Sequence, residues 1–245
     1  MSHKLFYDEY PFDWVDNYSP EELRAVISPL LLRVIEGLPR EALVLDVGCG
    51  AGRVMAHLGF RNLNCIGLDI SPVSVRIMKD RCHLPGVIAD NLCLPIKDGH
   101  ADLVISDGVL HHTGDASRSF AENSRVLRTG GQMYLAVYKP TGRYALLYRY
   151  PGWLIRWAVR RSIGKVAVHI FLLPFYYLLH LLKSGGKRTW SGARNLFYDY
   201  FVSPRVDFVS RDTIERWSRD RGMRIVSFNS SSKENVHSFL LQKPR

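Results

Sequence analysis

The chain alternates short apolar runs with segments whose apolar residues recur at helical spacing. Runs rich in aliphatic and β-branched residues predict strands at 42–47, 64–70, 86–89, 101–107 and 132–138. Helices are predicted between them near 51–58, 72–81 and 115–128. Such alternation is typical of a parallel, doubly wound α/β sheet with helices on both faces. Ligands bind these sheets at the carboxyl ends of the strands, so functional residues are expected there.

A helical region is also predicted before the first strand. Residues 20–37 have helical spacing, with Ser19 as a candidate N-cap and Pro29 as a break. The N-terminal segment FYDEYPFDW carries aromatic and acidic residues. It is expected either to fold over a ligand or to cover an edge of the sheet.

Charge is unevenly distributed along the chain. The net charge is +10, yet all of the excess positive charge lies in residues 123–198. This stretch holds thirteen Lys or Arg and no Asp or Glu. The rest of the chain has 20 basic and 23 acidic residues. One basic segment in a mildly acidic protein indicates an anionic partner, such as lipid headgroups, nucleic acid or a phosphorylated substrate, or else a solvated basic face.

Composition and cysteine spacing narrow the class of protein. Apolar residues make up 47% and charged residues 23%, as in ordinary soluble globular proteins. The four cysteines form no CxxC pair and no metal-ligand spacing, so no metal is expected. The N-terminus lacks the basic start and apolar run of a signal peptide. We therefore expect reduced thiols and a cytoplasmic location.

The first predicted strand runs into the sequence VLDVGCGAGR. Gly48, Gly50 and Gly52 allow a sharp turn and let a ligand approach the backbone, beside the N-terminus of the next helix. The spacing GxGxG lacks the third glycine of the dinucleotide motif, because Arg53 occupies that position. Asp46 would place a carboxylate beside the ligand, which favours a nucleotide-like ligand that carries positive charge.

Acidic residues also end the next two predicted strands. Asp69 follows Gly50 by nineteen residues, close to the distance at which an acid accepts hydrogen bonds from ribose hydroxyls. Asp90 closes the third strand, where a carboxylate could accept a hydrogen bond from an exocyclic amine. Each aspartate alone could be a cap or turn residue. Three at successive strand ends indicate a site for a nucleoside that carries a cation.

Together these motifs resemble the class I S-adenosylmethionine-dependent methyltransferases. The resemblance covers roughly residues 43–138, through LDVGCGAGR, GLDIS, IADNLCLP and DLVISDGVLHHTGDASRSFAENSRVLRTGGQMYLAVY, and returns near the C-terminus. The block VLHHTGD is most similar to the branch that includes ubiquinone and menaquinone methyltransferases and many natural-product enzymes. The resemblance implies S-adenosylmethionine as the cofactor.

The resemblance also assigns roles within the cofactor site. The glycine loop would contact the methionine part of the cofactor, Asp69 the ribose and Asp90 the adenine amine. The end of the fourth strand, at 106–109, would lie beneath the reactive methyl group. The implied cofactor-binding residues are Asp46, Gly48, Cys49, Gly50, Gly52, Asp69, Ile70, Asp90, Asn91, Leu92, Asp107 and Gly108.

The family's fold implies a Rossmann-like, seven-stranded, mostly parallel sheet. Its last helix and two antiparallel strands are expected at 211–230 and 235–243. The chain would then comprise an N-terminal helical cap, the cofactor-binding core, a helical, apolar and basic lid inserted after the fifth strand, and a C-terminal segment that completes the core. These segments are expected at 1–40, 41–141, 142–200 and 201–245.

Methyl transfer from a sulfonium requires alignment of donor and nucleophile and exclusion of water. A general base is needed only if the nucleophile must lose a proton. His112 is the preferred candidate and His111 the second, because a histidine at a strand end can accept that proton near neutral pH. Alternatively, both histidines pack or orient the loop.

Aromatic residues supply candidates for substrate binding. Tyr7 and Tyr10 lie in the N-terminal segment, and Tyr198 and Tyr200 lie near the end of the insertion. By the resemblance, at least one tyrosine of the second pair lines the site. The first pair could instead belong to a solvent-facing arm that only covers a sheet edge, and the second pair to the core under the last helix.

The insertion contains a long apolar run, KVAVHIFLLPFYYLLHLLK, which is short for a membrane span and is interrupted by Pro174. The preceding YPGWLIRWAVRRSIGK is predicted to form one basic amphipathic helix, with Arg156, Arg160 and Arg161 on one face. Residues 152–183 are therefore expected to form a lid whose outer face contacts an anionic membrane, or which packs on itself or in a homodimer.

The sequence thus predicts methyl transfer to a small apolar or amphipathic acceptor, lipid-like, quinone-like or a natural-product intermediate. An RNA methyltransferase or RNA-binding protein is the second hypothesis, because the insertion is basic. A nucleic-acid partner is disfavoured since aliphatic runs, rather than stacking aromatics, interleave the basic residues. A non-catalytic S-adenosylmethionine-binding scaffold is the third.

Overall fold

The computed structural model describes residues 3–11, 19–230 and 235–244, and in them seven strands form one sheet. The strand order is β3-β2-β1-β4-β5-β7-β6. β7 pairs antiparallel with β5 and β6, and the other neighbours are parallel. The strands are β1 Leu43–Val47, β2 Asn64–Asp69, β3 Gly86–Ile88, β4 Ala101–Asp107, β5 Leu127–Tyr138, β6 Arg224–Asn229 and β7 Val236–Gln242. The predicted Rossmann-like, mostly parallel fold is confirmed.

Helices cover both faces of the sheet and form the insertion after β5. Ser19 caps the second helix through a reciprocal capping box with Glu22, and the next helix begins at Pro29. A short 3₁₀ helix spans Leu110–His112. The α-helices are α1 His3–Glu9, α2 Pro20–Val26, α3 Pro29–Glu36, α4 Arg53–Phe60, α5 Pro72–Cys82, α6 Ala116–Val126, α7 Arg143–Arg149, α8 Pro151–Val159, α9 Ser162–Ala167, α10 Leu173–Lys183, α11 Trp190–Phe201 and α12 Arg211–Asp220.

Two apolar clusters, one on each face, hold the sheet in place. Adjacent residues of a strand point to opposite faces, so Val44 joins the cluster beneath α3, α4 and α5, while Leu45 joins the cluster beneath α6 and α12. Both side chains are fully buried. Burial on both faces accounts for the continuous apolar runs from which the central strands were predicted.

A third apolar cluster joins the N-terminal helix to the insertion. Phe6 of α1 and Tyr10, which directly follows α1, pack with Phe197 and Tyr198 of α11. The Tyr10 and Tyr198 rings are stacked, with centroids 3.9 Å apart. On its other side α1 is held to α5, because the Ser71 hydroxyl at the start of α5 donates to Asp8 Oδ1 at 2.7 Å. The cluster therefore fixes α1 above the carboxyl ends of the strands.

The segment predicted as one basic helix is divided in the structure. α8 ends at Val159 and α9 begins at Ser162, so Arg160 and Arg161 lie at the junction. The prediction that Arg156 shares an exposed basic face is wrong. Its guanidinium turns inward and donates to the carbonyl oxygens of Tyr148 and Phe201, at 2.9 and 3.0 Å. The carbonyl of Phe201 belongs to the last turn of α11, whose carbonyls lack helical partners and attract donors.

Gly52 immediately precedes α4 and has a left-handed φ of +93°. A Cβ there would lie 2.8 Å from Met78 Cγ and 2.9 Å from Cys82 Sγ of α5. We expect Gly52→Ala to lower the free energy of unfolding by about 2–4 kcal/mol, because left-handed backbone and overpacking both oppose the side chain.

Urea denaturation would measure this loss, with Gly99→Ala as the matched control. Gly99 also has positive φ, but a Cβ added there would meet no atom within 4 Å. This variant should cost only about 1 kcal/mol, from backbone conformation alone. Equal losses in both variants would contradict the packing explanation.

Candidate active site

A cavity of about 550 Å³ opens at the carboxyl ends of the parallel strands. Its floor is formed by the ends of β1, β2 and β4 and the loops that follow them. Residues of α1 and α11 line its other end. The volume is typical of a small-ligand site, and its place is where the sheet topology predicts one.

The glycine loop after β1 presses close to its neighbours. Gly48 has a φ of +80°, and a Cβ there would overlap the Val109 side chain, so only glycine fits. The Gly50 N–H donates to Asp69 Oδ2 at 2.9 Å, which ties this loop to the end of β2. Cys49 and Gly50 line the cavity. The loop therefore offers bare backbone to a ligand, as its sequence predicts.

Asp46 lies at the base of this loop, almost completely buried in the cavity wall. Within the described part of the chain, its Oδ2 has no hydrogen-bond partner. Burial, together with the negative charge of Asp107, raises the pKa of Asp46 to about 7, although Arg53 opposes the rise. A cationic ligand would both stabilise the ionised carboxylate and give Oδ2 a partner.

Arg53 is a cation among these acids, and its sequence position alone did not predict a role in the site. It is the first residue of α4 and pairs with Asp107 at the end of β4. Both residues line the cavity. The pair therefore bridges the loop after the first strand and the end of the fourth.

A second group of polar residues lines the cavity beyond β2 and β3. Asp69 accepts hydrogen bonds from the backbone of Gly50 and Ser71, and burial raises its pKa above the usual value. Asp90 and Asn91 follow β3, and both line the cavity. The Asn91 side-chain amide is buried, and neither its oxygen nor its nitrogen bonds to any described residue. These groups can recognise hydroxyl and amine groups of a nucleoside.

The residues fit the cofactor that the sequence implies. S-adenosylmethionine carries an ammonium, a sulfonium, ribose hydroxyls and an adenine amine. The cavity provides an unpartnered carboxylate oxygen at Asp46, an unpartnered amide at Asn91 and a glycine loop that a side chain would obstruct. Every predicted cofactor contact except Gly52 lines the cavity, namely Asp46, Gly48, Cys49, Gly50, Asp69, Ile70, Asp90, Asn91, Leu92, Asp107 and Gly108.

The other end of the cavity is aromatic and contains a buried acid. Tyr7 of α1, Tyr138 of β5 and Tyr200 of α11 line it. Asp199 of α11 lies among them, 5% exposed, and accepts a hydrogen bond from Tyr7 Oη at 3.3 Å. Burial raises the pKa of Asp199, while nearby His112 and the Tyr7 hydrogen bond oppose that rise.

Asp199 was not among the residues predicted from the sequence. The signal was present, because Asp199 is the first acid after the acid-free stretch 123–198. An isolated carboxylate at the end of a basic, apolar segment is costly to bury unless it is hydrogen-bonded or meets a positive charge. Local pattern alone does not show that α11 returns this residue to the strand ends.

His112 lines the same end of the cavity. Its Nδ1 lies 3.2 Å from the carbonyl oxygen of Arg205 and 3.2 Å from Ser203 Oγ. A carbonyl can only accept, so this contact assigns the proton of the neutral ring to Nδ1. Nε2 is then the ring nitrogen that can accept a proton. The Tyr7 ring packs edge-on against His112, with centroids 6.2 Å apart.

His111 lies behind the cavity wall rather than in it. The side chain is fully buried, and its Nδ1 accepts a hydrogen bond from the Tyr138 backbone N–H at 3.3 Å. Burial, and the proximity of His112, hold the pKa of His111 well below its usual value, so the ring is neutral. This environment favours a packing role over proton transfer.

Three further predicted contact residues lie outside the cavity lining. Gly52 allows α4 to begin against α5, as its packing shows. Tyr10 and Tyr198 stack on one another in the apolar cluster between α1 and α11. Their aromatic character serves the helix contact, because each ring is buried against its partner. No group of three or more His, Cys, Asp or Glu side chains that could hold a metal occurs within residues 3–11, 19–230 and 235–244.

Comparison with known proteins supports the same cofactor. Residues 45–135 match the family model described as a methyltransferase domain. The mouse tRNA (carboxymethyluridine(34)-5-O)-methyltransferase ALKBH8 is 33% identical over 120 residues, which is 47% of this chain and 18% of that protein. The chain thus spans well under two thirds of the curated relatives that it matches first.

Solved structures share the fold at low sequence identity. A SAM-dependent methyltransferase of Methanosarcina mazei superposes with a TM-score of 0.58 at 14% identity, over 89% of this chain and 98% of that one. Magnesium protoporphyrin IX methyltransferase of Synechocystis, solved with bound SAH, gives a TM-score of 0.56 at 18% identity, over 91% and 83%. Residues 45–135 therefore match a methyltransferase domain, and the fold around them is that of S-adenosylmethionine-dependent methyltransferases.

Proposed function

We propose that this protein transfers a methyl group from S-adenosylmethionine to a small apolar or amphipathic acceptor that carries a hydroxyl or amine. One observation supports this above all. The acidic, glycine-lined end and the aromatic end with Asp199 and His112 belong to a single cavity. A cofactor and a small acceptor can therefore meet inside it, away from water.

The cofactor supplies an electrophilic methyl group on a sulfonium when it is bound. The Gly48–Gly50 loop and Asp46 would hold its methionine part, Asp69 its ribose, and Asp90 with Asn91 its adenine. The ionised Asp46 balances cationic charge on this part of the ligand, and Arg53 keeps Asp107 paired at the neighbouring strand end. These residues position the donor, which is the main requirement of an in-line displacement.

At the acceptor end, His112 takes the proton of the nucleophile. With Nδ1 bonded to the Arg205 carbonyl, Nε2 accepts this proton, and the ring becomes an imidazolium. Asp199 stabilises that charge through space, and the Tyr7 hydroxyl holds the carboxylate in place. Tyr138 and Tyr200 complete an apolar wall with polar tips, which suits an aromatic or lipid-like acceptor with one polar group.

RNA is the second candidate acceptor, and two observations favour it. The relatives found by sequence include tRNA methyltransferases, and the insertion is strongly basic. Against it, α1 and α11 close the acceptor end, and Asp199 is almost fully buried there. A polynucleotide would have to insert a base past these helices.

A labelled-methyl assay separates the two acceptors. We expect purified protein, given S-adenosylmethionine with a tritiated methyl group, to label a component of an organic-solvent extract of cells and not total tRNA. The aromatic cavity end admits small apolar molecules, which is the reason for this expectation. Asp69→Asn is the control for background transfer. Label in the tRNA fraction, with none in the organic extract, would replace the small-molecule proposal with the RNA one.

Cofactor affinity should depend on pH through Asp46. Its folded pKa is about 7, and only the ionised form attracts a cation. Affinity for S-adenosylmethionine should therefore fall as pH drops below about 7, by up to about tenfold per pH unit, and binding there should take place with proton release. Calorimetry at pH 6 and pH 8, in buffers of different ionisation enthalpy, measures both effects.

Asp46→Asn is the matched control, since it keeps the shape of the side chain and removes the titrating group. It should bind more weakly by about tenfold at pH 8 and release no proton at pH 6. Unchanged proton release in this variant would assign the titration to another group in the cavity, such as Asp69.

The two neighbouring histidines should behave differently. We expect His112→Ala to reduce the rate of methyl transfer by about 10²–10⁴, with cofactor affinity little changed, because it removes the proton acceptor. His111→Asn keeps an acceptor for the Tyr138 N–H and should mainly lower thermal stability. Single-turnover rates of methyl transfer to the acceptor identified by labelling measure catalysis. Calorimetry measures cofactor affinity and thermal stability. Similar rate losses in the two variants would contradict the assignment to His112.

A further inference from the structure

The insertion 142–200 exposes far more apolar surface than the rest of the chain. Of the twenty-one large hydrophobic side chains that are exposed in the described residues, sixteen belong to it. They include Ile163 at 86%, Phe171 at 74% and Leu182 at 70%. A soluble monomer rarely leaves such a surface facing water, so this face indicates an interaction site.

The continuous apolar helix Ser162–Lys183, which includes α9 and α10, packs on the domain with one side and is exposed on the other. Val168 and Leu173 are buried, and Tyr176 packs edge-on against Phe197 of α11 with ring centroids 5.2 Å apart. Phe171 and Phe175 lie on the exposed side. The anchored side holds the helix along α11, so the exposed side forms an outer face of the domain.

By length and composition, Ser162–Lys183 could cross a membrane, and only 11% of its most apolar window is buried. Its packing favours a different arrangement. A spanning helix would have to leave α11 and expose Val168, Leu173 and Tyr176 to lipid. A helix that stays anchored can instead lie in the plane of the interface with its outer face in the acyl region.

The charges around this face match an anionic partner. The whole stretch 123–198 contains no acid. Tyr150, Trp153 and Trp157 are exposed, and such rings are favoured at the boundary between headgroups and acyl chains. The insertion also carries exposed basic side chains at Arg143, Arg149, Arg160, Arg161 and Lys183.

Other occupants fit this face less well. A second copy packed on the same face would bring together two insertions that are basic and contain no acid between residues 142 and 198. RNA would match the charge but would leave the exposed aliphatic side chains in contact with phosphates and water. An anionic bilayer would accommodate both the exposed apolar side chains and the exposed basic ones.

We propose that the insertion docks on an anionic lipid bilayer, with α8, α9 and α10 lying in the plane of the interface and their exposed apolar side chains in the acyl region. α11 separates this face from the cavity and carries Asp199 and Tyr200 to it. The acceptor end thus lies one helix layer from the membrane. The inference concerns the surface and does not depend on the identity of the acceptor.

Vesicle flotation of the full chain tests the proposal without cofactor or acceptor. The vesicles are phosphatidylcholine alone, or phosphatidylcholine with about 30% phosphatidylglycerol, in about 0.15 M salt. We expect the protein to float with the anionic vesicles. The double variant Phe171→Glu/Phe175→Glu should weaken this partition by at least about tenfold, since it places two charges in the acyl region.

Phe60→Glu/Val226→Glu is the matched control. It adds the same charges at exposed apolar positions outside the insertion, and it should float like the unmodified protein. Calorimetric binding of S-adenosylmethionine, together with the far-UV circular dichroism spectrum, shows whether each variant is folded. A failure of docking is therefore distinguishable from a failure of the cofactor site.

Three results would overturn the proposal. The first is that folded, unmodified protein does not float, or floats equally with both vesicles. The second is equal loss of flotation in the insertion variant and its control. The third is a dimer, seen by analytical ultracentrifugation, that the insertion variant abolishes while neither protein binds vesicles. That last result would make a second copy the occupant of the face.

Discussion

The main physical constraint on the structure is an excess of buried negative charge at the carboxyl end of its sheet. The parallel strands bring Asp46, Asp69 and Asp107 together around the cavity. Arg53 pairs with Asp107, and burial keeps the pKa of Asp46 and Asp69 above their usual values. A cationic ligand in the cavity would relieve this repulsion. Its binding would also stabilise the fold, because the ligand would supply charge that the folded chain lacks there.

The aromatic end of the cavity depends instead on contact between α1 and α11. Tyr10 and Tyr198 stack to join the helices, and their near neighbours Tyr7, Asp199 and Tyr200 reach the cavity. Consecutive helical residues point about 100° apart, so one short segment can both anchor a helix and line a site. The two ends of the cavity thus follow from different physics, strand topology at one and aromatic packing at the other.

The core could be predicted from the sequence because its signals are local. Apolar runs located the parallel strands to within a few residues, and the glycines and acids predicted at their ends line a cavity in the structure. The tertiary contacts of individual side chains, in contrast, depend on residues that are far apart in the sequence. The sequence favoured His112 over His111 as the proton acceptor but did not predict that His112 lines the cavity while His111 is buried behind it. Likewise, helical position predicted an exposed Arg156, but its side chain points inward and donates to the carbonyl oxygens of Tyr148 and Phe201.

The join between α9 and α10 is a single π-helical turn, Val168–Leu172. Residues five apart in a regular α-helix differ in direction by about 140°. The wider π turn takes up one extra residue, so Val168 and Leu173 behave like residues four apart and are both buried on the same side. In a straight α-helix one of these two anchors would rotate outward and an outer side chain would rotate in. The extra residue of the π turn therefore gives a nearly uniform apolar sequence one buried face and one exposed face.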